Sequence, residues 1–216
     1  MLTQTTGVTA TEEVVTGQVI ATIRTAAEEA DLLVLGAQGT NPLRDLLLGT
    51  TAERLLRTCR RPALVVKRAP KRPYGRVLVP VDFSSYSAPA LAVAALVAPH
   101  AHISGLHAFR VPFEARLHIA GATDDTIRRY CDEQRQEAAR HIDRLMTECL
   151  PHVPQRTCLI ERGDPSPVIL AQAQAQTADL IVLGKQGQSR AEELFLGSVT
   201  RHVLAGSPCD VLVVSP

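Results

Sequence analysis

Residues 31–66 read DLLVLGAQGTNPLRDLLLGTTAERLLRTCRRPALVV, and residues 179–214 read DLIVLGKQGQSRAEELFLGSVTRHVLAGSPCDVLVV. The two segments align without a gap at a constant offset of 148, and 14 of their 36 positions are identical. The identities fall on the strand residues, the three glycines and the apolar helix positions. Chance similarity would not preserve glycine spacing and apolar period together. The chain is therefore restricted to folds that use one supersecondary unit twice.

Each copy parses alike. A short aliphatic run (32–35; 180–183) has the character of a strand buried on both faces, as in parallel sheets. A glycine pair and a polar loop follow, then a third glycine opening a helix (49–58; 197–205), then a closing aliphatic strand (63–67; 211–215). Gly206 is placed to end the second helix as its C′ residue. In front of the second repeat stand a strand at 157–161 and a helix at 167–176, with Asp164 as N-cap and Pro165 at the first helical position.

Only the second copy has a front half. Residues 76–81 (RVLVPV) form a buried-type strand ending in Asp82-Phe83-Ser84-Ser85, and either serine can cap the Ala-rich helix that stops at Pro99. A strand at 103–109 precedes a long helix over 124–150, whose stripe of Ile127, Cys131, Gln134, Ala138, Ile142, Leu145 and Cys149 reads as core. Residues 75–216 thus read βαβαβαβαβ, which implies a parallel sheet with right-handed crossovers and helices on both faces. Residues 1–67 hold a strand candidate at 8–15, a helix and the repeat. The basic, proline-containing stretch 68–74 reads as a solvated hinge.

The glycines carry the chemistry. Gly184, Gly187, Gly197 and Ser198 form G-x2-G-x9-G-[ST], and Gly36, Gly39, Gly49 and Thr50 repeat it. Glycines let backbone N–H groups surround phosphate oxygens, and the third sits where a helix N-terminus favours an anion. The same glycines could merely make tight strand-to-helix turns. The spaced triple behind a buried strand, present twice, puts phosphate binding ahead. Asp82 stands at the C-terminal edge of the first strand, where open α/β sheets bind ligands. Its carboxylate suits ribose hydroxyls or an adenine amino group, and suits a helix cap equally well.

Other functions are excluded by what accompanies these residues. A net charge of +1, 3% aromatic residues and no Trp argue against nucleic acid. Five scattered cysteines without a C-x-x-C pair argue against a disulfide framework or a zinc site and fit a reducing, cytoplasmic compartment. The N-terminus lacks a signal-peptide pattern, and the most apolar stretch, 88–99, is too short to span a bilayer. Histidines such as His107 and His118 are isolated, and no H-E-x-x-H, G-x-S-x-G or P-loop is present. No enzyme is expected, with slow hydrolysis of a bound nucleotide left open.

Pro80-Val81-Asp82-Phe83-Ser84, the glycine triple and the closing strand 211–214 together resemble the universal stress protein family, in its ATP-binding branch. The resemblance covers 75–216 as a complete domain, with 68–74 as linker and 1–67 as the C-terminal half of another domain. It implies an open five-stranded parallel sheet, Rossmann-like, of order 3-2-1-4-5, plus a partial second copy. It further implies an adenine nucleotide (ATP, ADP or AMP), with or without Mg, and a regulatory role in the stress response. By position, adenine and ribose would meet Pro80, Val81, Asp82 and Ala108. The phosphates and adjoining ribose would meet Gly184, Gln186, Gly187, Gly197, Ser198, Val199 and Thr200. Ala108 is smaller than the usual aliphatic residue, and Gln186 replaces the common His or Arg. The half copy has no counterpart of Asp82, and its unpaired strand edge calls for cover by the complete domain's last strands and by a second chain, as a homodimer. A nucleotide-independent interaction module of the same fold is the alternative.

Overall fold

The computed structural model describes residues 10–37, 49–70, 72–110, 123–187 and 195–215. Strands β1 (Leu33–Gly36), β2 (Ala63–Val66), β3 (Arg76–Pro80), β4 (His102–Phe109), β5 (Arg156–Arg162), β6 (Leu180–Gly184) and β7 (Asp210–Val214) join one sheet. Helices α1 (Val19–Glu28), α2 (Thr50–Thr58), α3 (Ser87–Val97), α4 (Asp124–Cys149), α5 (Pro165–Ala175) and α6 (Ser198–Gly206) pack on it.

Strand periodicity builds the core on both faces. Val77, Val79, Leu180, Val182, Leu212 and Val214 point into one layer with Leu91 of α3 and Ile142 and Met146 of α4. The intervening Leu78, Ile181, Leu183, Val211 and Val213 point into the other, with Ile169 of α5 and Val203 and Leu204 of α6. Alternate side chains thus both find apolar cover, which is why these strands carry no polar alternation.

The sheet as a whole is seven-stranded and mixed, not five-stranded and parallel, ordered β1-β2-β7-β6-β3-β4-β5; its strands from residues 75–216 are all parallel and run β5-β4-β3-β6-β7 within it. The cause is the free edge of each closing strand. β2 and β7 pair antiparallel, with Ala63 opposite Val213, Leu64 opposite Leu212 and Val65 opposite Val211. All other neighbouring strands are parallel. Because 64 + 148 = 212, Leu64 faces its own repeat counterpart, and the junction relates the copies by a local twofold. Both leucines lie in the first layer, and Leu56 of α2 joins its counterpart Leu204 in the second.

Among the described residues, β1 is open to solvent on the face that carries Val34. Val34 is 57% exposed, whereas its counterpart Val182 is 0% exposed beneath the first layer. Residues 10–15 of the expected strand at 8–15 have no regular structure, and residues 8–9 lie outside the described residues.

The stretch between β2 and β3 is anchored at its two ends, while residues 69–70 and 72–73 between them are exposed. Asp210 Oδ1 accepts from the backbone N–H of Lys67 (2.7 Å) and Arg68 (3.3 Å), and Oδ2 from the Tyr74 hydroxyl (2.7 Å). Asp179 Oδ2 accepts from the N–H of Gly75 and Arg76. Gly206 is also corrected: it is the last residue of α6, followed by Ser207 as C-cap. A Cβ there would lie 2.8 Å from Leu170 Cδ1, so close packing of α5 on α6 explains the glycine.

Candidate functional site

The C-terminal ends of β3, β4 and β6 and the first turns of α5 and α6 enclose a cavity of about 220 Å³. Every residue expected to hold a nucleotide lies on its wall: Pro80, Val81, Asp82, Ala108, Gly184, Gln186, Gly187, Gly197, Ser198, Val199 and Thr200. The parallel pairing of β3 with β4 and β6 brings these distant segments to one sheet edge.

Gly184 and Gly187 are needed there for space. None of Gly184, Gly187 and Gly197 has a positive φ. A Cβ on Gly184 would collide with Cβ of Tyr86, and one on Gly187 would lie 2.7 Å from Asp82 Oδ2. At Gly197 the nearest atoms, Gln186 Cα and the Lys185 carbonyl, would be 3.4 Å away, an ordinary contact. Gly197 is the N-cap of α6 and offers no side-chain cap, so the helix's first N–H groups lack intrahelical acceptors. The first turn carries no acidic residue.

Asp82 serves a turn and faces the cavity at once. Its Oδ1 accepts from the Ser84 N–H (3.0 Å) and the Ser87 hydroxyl (3.1 Å), and its Oδ2 lies toward Gly187. Phe83 follows with φ of 61°, a left-handed conformation that costs a non-glycine residue about 1–2 kcal/mol. Two rings hold it: His141 stacks at 4.2 Å with planes 8° apart, and His107 lies at 4.5 Å. His107 is itself oriented by the Val81 carbonyl, 2.7 Å from Nδ1, and since a carbonyl only accepts, Nδ1 is the donor. The expected serine cap is replaced: α3 begins after Tyr86, whose N–H donates to Ser84 Oγ at 3.4 Å.

Other cavity residues are also engaged structurally. The Thr200 hydroxyl donates to the Gly184 carbonyl at 2.9 Å, tying α6 to the end of β6. Gln186 Oε1 accepts from the Tyr86 hydroxyl (3.3 Å), and its Nε2 donates to the Phe195 carbonyl (2.7 Å). The departure from His or Arg at this position therefore gives an amide that joins three loops. Asp164 makes no N-cap bond to α5 and instead pairs with Arg110.

Sequence reasoning missed Tyr86, Ser87, Leu106, Pro165, Ile169 and Leu183 in the wall. Spacing held a signal for some of them. Leu106 and Ala108 share one face of β4, and Pro165 and Ile169 lie one turn apart on α5. In the first copy, Gly36 ends β1 and Gly49 caps α2, whereas Gly39 lies outside the described residues, as does His118. Among the described residues there is no group of three or more His, Cys, Asp or Glu able to hold a metal ion. No helix among them is long and apolar enough to cross a membrane.

A universal stress protein of Mycobacterium tuberculosis is 27% identical over 208 residues, covering 94% of this chain and 64% of the relative. A second, from Bacillus subtilis, is 29% identical over 146 residues, covering 65% of this chain and 99% of the relative. The chain thus spans about two thirds of the longer relative and carries more than the shorter one. The crystal structure of a universal stress protein from Archaeoglobus fulgidus superposes with a TM-score of 0.65 at 23% identity, over 91% of this chain and 66% of that one, a likeness of fold. The sequence profile described as the universal stress protein family matches residues 1–67 and again residues 73–215. On that coverage, the chain belongs to the universal stress protein family.

Proposed function

We propose that the cavity binds an adenine nucleotide (ATP, ADP or AMP), with or without Mg, and that the protein regulates the stress response through the bound state. The observation that carries this reading is the meeting of Asp82 with the N-terminal turn of α6 in one cavity, across a Gly187 where a Cβ would lie 2.7 Å from the carboxylate. Val81, Leu106, Ala108, Ile169 and Leu183 give an apolar wall suited to a base, and Asp82 gives an acceptor for ribose hydroxyls. Gly184, Gln186, Gly187, Gly197 and Ser198 would take the phosphates, with Val199 and Thr200 contributing backbone N–H groups. We read residues 75–216 as the complete domain and 1–67 as a C-terminal half domain. We read the protein as a binding protein, and turnover of bound ATP decides that point.

The test is to denature the purified protein, assay the supernatant for adenine nucleotide, and titrate the refolded or nucleotide-free protein with Mg-ATP and AMP calorimetrically. Nucleotide in either assay supports the reading, and its absence from both sinks it. A nucleotide-independent interaction module has one observation in its favour: Asp82 Oδ1 and the Thr200 hydroxyl already serve local structure. A partner captured equally well with and without ATP, together with an empty cavity, would establish that alternative. A homodimer is proposed from the exposed Val34 face of β1.

A further inference from the structure

Lys185 stands between Gly184 and Gln186, two residues of the cavity wall, and its side chain reaches into the other copy. The residue is 5% exposed. Its Nζ donates to the carbonyls of Arg57 (2.6 Å) and Cys59 (3.3 Å), at the C-terminal end of α2. Helix C-termini present unpaired carbonyls and the negative end of the macrodipole, so a buried ammonium is well matched there. Ser215, just past β7, adds a hydroxyl to the same Cys59 carbonyl at 3.4 Å.

The backbone of Lys185 is fixed as well, between two residues of the cavity wall. Its N–H donates to the Val214 carbonyl (2.8 Å), and its carbonyl accepts from the N–H of Gly197 (2.9 Å), the N-cap of α6. One residue therefore connects the C-terminus of α2 to the N-terminus of α6. A second cross-copy lysine exists: Lys67 Nζ donates to the carbonyls of Leu204 (2.6 Å) and Ser207 (3.1 Å) at the end of α6. Lys67 comes from the end of β2, and it does not line the cavity. The counterpart of Lys185 in the first copy is Ala37 (185 − 148), which has no ammonium to send across. The support runs one way, from the first segment to the complete copy's glycine loop.

We infer that Lys185 is a positioning residue for the cavity, making α2 of the first segment a working part of the site whose ligand we proposed above. Linkage is reciprocal, so a ligand held by the 184–187 loop and α6 also stabilises α2 in place.

The test compares Lys185→Met with Lys67→Met, since each removes an ammonium from helix-end carbonyls, buried at Lys185 and half-buried at Lys67, and only Lys185 lies between two residues of the cavity wall. Hydrogen exchange at Gly197 and at residues 55–59 is read without ligand, and Mg-ATP is then titrated. Lys185→Met is expected to speed exchange at both places and to weaken Mg-ATP by about tenfold, the effect of one buried charged hydrogen bond. Lys67→Met is expected to speed exchange at 203–207 and leave Mg-ATP affinity within about twofold, below the effect of one such bond. Lys185→Arg, which keeps a cationic donor, should recover much of the loss and serves if the Met variant does not fold. Unchanged Gly197 exchange in Lys185→Met, or equal effects of both lysine variants, overturns the inference. A wild-type protein that binds no Mg-ATP sinks the proposed function, while the exchange comparison still decides the role of Lys185.

Discussion

Adding one methyl group at Gly187 gives a sharp test of the cavity's construction. Its Cβ would sit 2.7 Å from Asp82 Oδ2, well inside carbon–oxygen contact distance. The backbone there is not left-handed, so alanine brings no conformational strain of its own. Relief must come from moving Asp82, whose Oδ1 is held by the Ser84 N–H and the Ser87 hydroxyl. Weakening two such bonds at about 1 kcal/mol each, or accepting overpacking of about 1–3 kcal/mol, gives the same scale. Gly187→Ala should therefore cost about 2 kcal/mol in urea unfolding and, if the carboxylate holds ribose, weaken nucleotide by about tenfold or more. Gly197→Ala meets only ordinary contacts at 3.4 Å and should cost the few tenths to 1 kcal/mol or less expected of a cap change. The clash is isolated by a cycle with Asp82→Ala, which removes the obstructing oxygens. The double variant should be more stable than additivity allows, by about 1–2 kcal/mol. Additive costs within about 0.3 kcal/mol would refute the reasoning.

Two further outcomes follow from features outside the cavity. Val34→Lys should change stability by no more than about 0.5 kcal/mol, whereas Val182→Lys at the buried counterpart should cost more than about 3 kcal/mol or prevent folding. If a second chain covers β1, Val34→Lys should also lower the mass measured by light scattering, and an unchanged monomer argues against that cover. Burial, and then the hydrogen bond to Asp210, push the Tyr74 phenol above its ordinary value of 10.0. A raised folded value means the contribution is complete below pH 10 and is lost as pH rises through the folded value. Tyr74→Phe should cost about 1.5–3 kcal/mol at pH 7, as for a hydrogen bond to a charged group. It should also flatten the decline in stability above pH 10, and an unchanged alkaline slope would contradict the assignment.

The parts of this molecule that sequence exposed are those set by local rules. The strand at 180–184 is legible because Leu180 to Leu183 supply both core layers from consecutive residues. The glycine triple and Asp82 are legible because strand-end placement brings their chemistry to one sheet edge. The seven-stranded sheet is not local: it depends on the edges of β2 and β7 finding each other 143 residues apart, as in the Lys67 to Asp210 contact. Tyr86 and Ile169 entered the wall for a similar reason, through the way α3 and α5 pack against strand ends. The reach of Lys185 is non-local too: its ammonium is drawn toward α2, a helix that sequence separates from it by more than half the chain.

The local twofold at Leu64 and Leu212 also bears on dilution. Between separate chains, an antiparallel junction of this kind would form and dissolve with concentration. Here both partners belong to one polypeptide, with the connecting stretch pinned by Asp210 and Asp179, so their effective concentration is set by the tether. The β7 edge is permanently occupied and unavailable to a strand from another protein. Among the described strands, β1 and β5 are the sheet edges left for an assembly that responds to how much protein is present. The geometry of the last strands, and the Val214 carbonyl that supports Lys185, stay the same in dilute and concentrated solution.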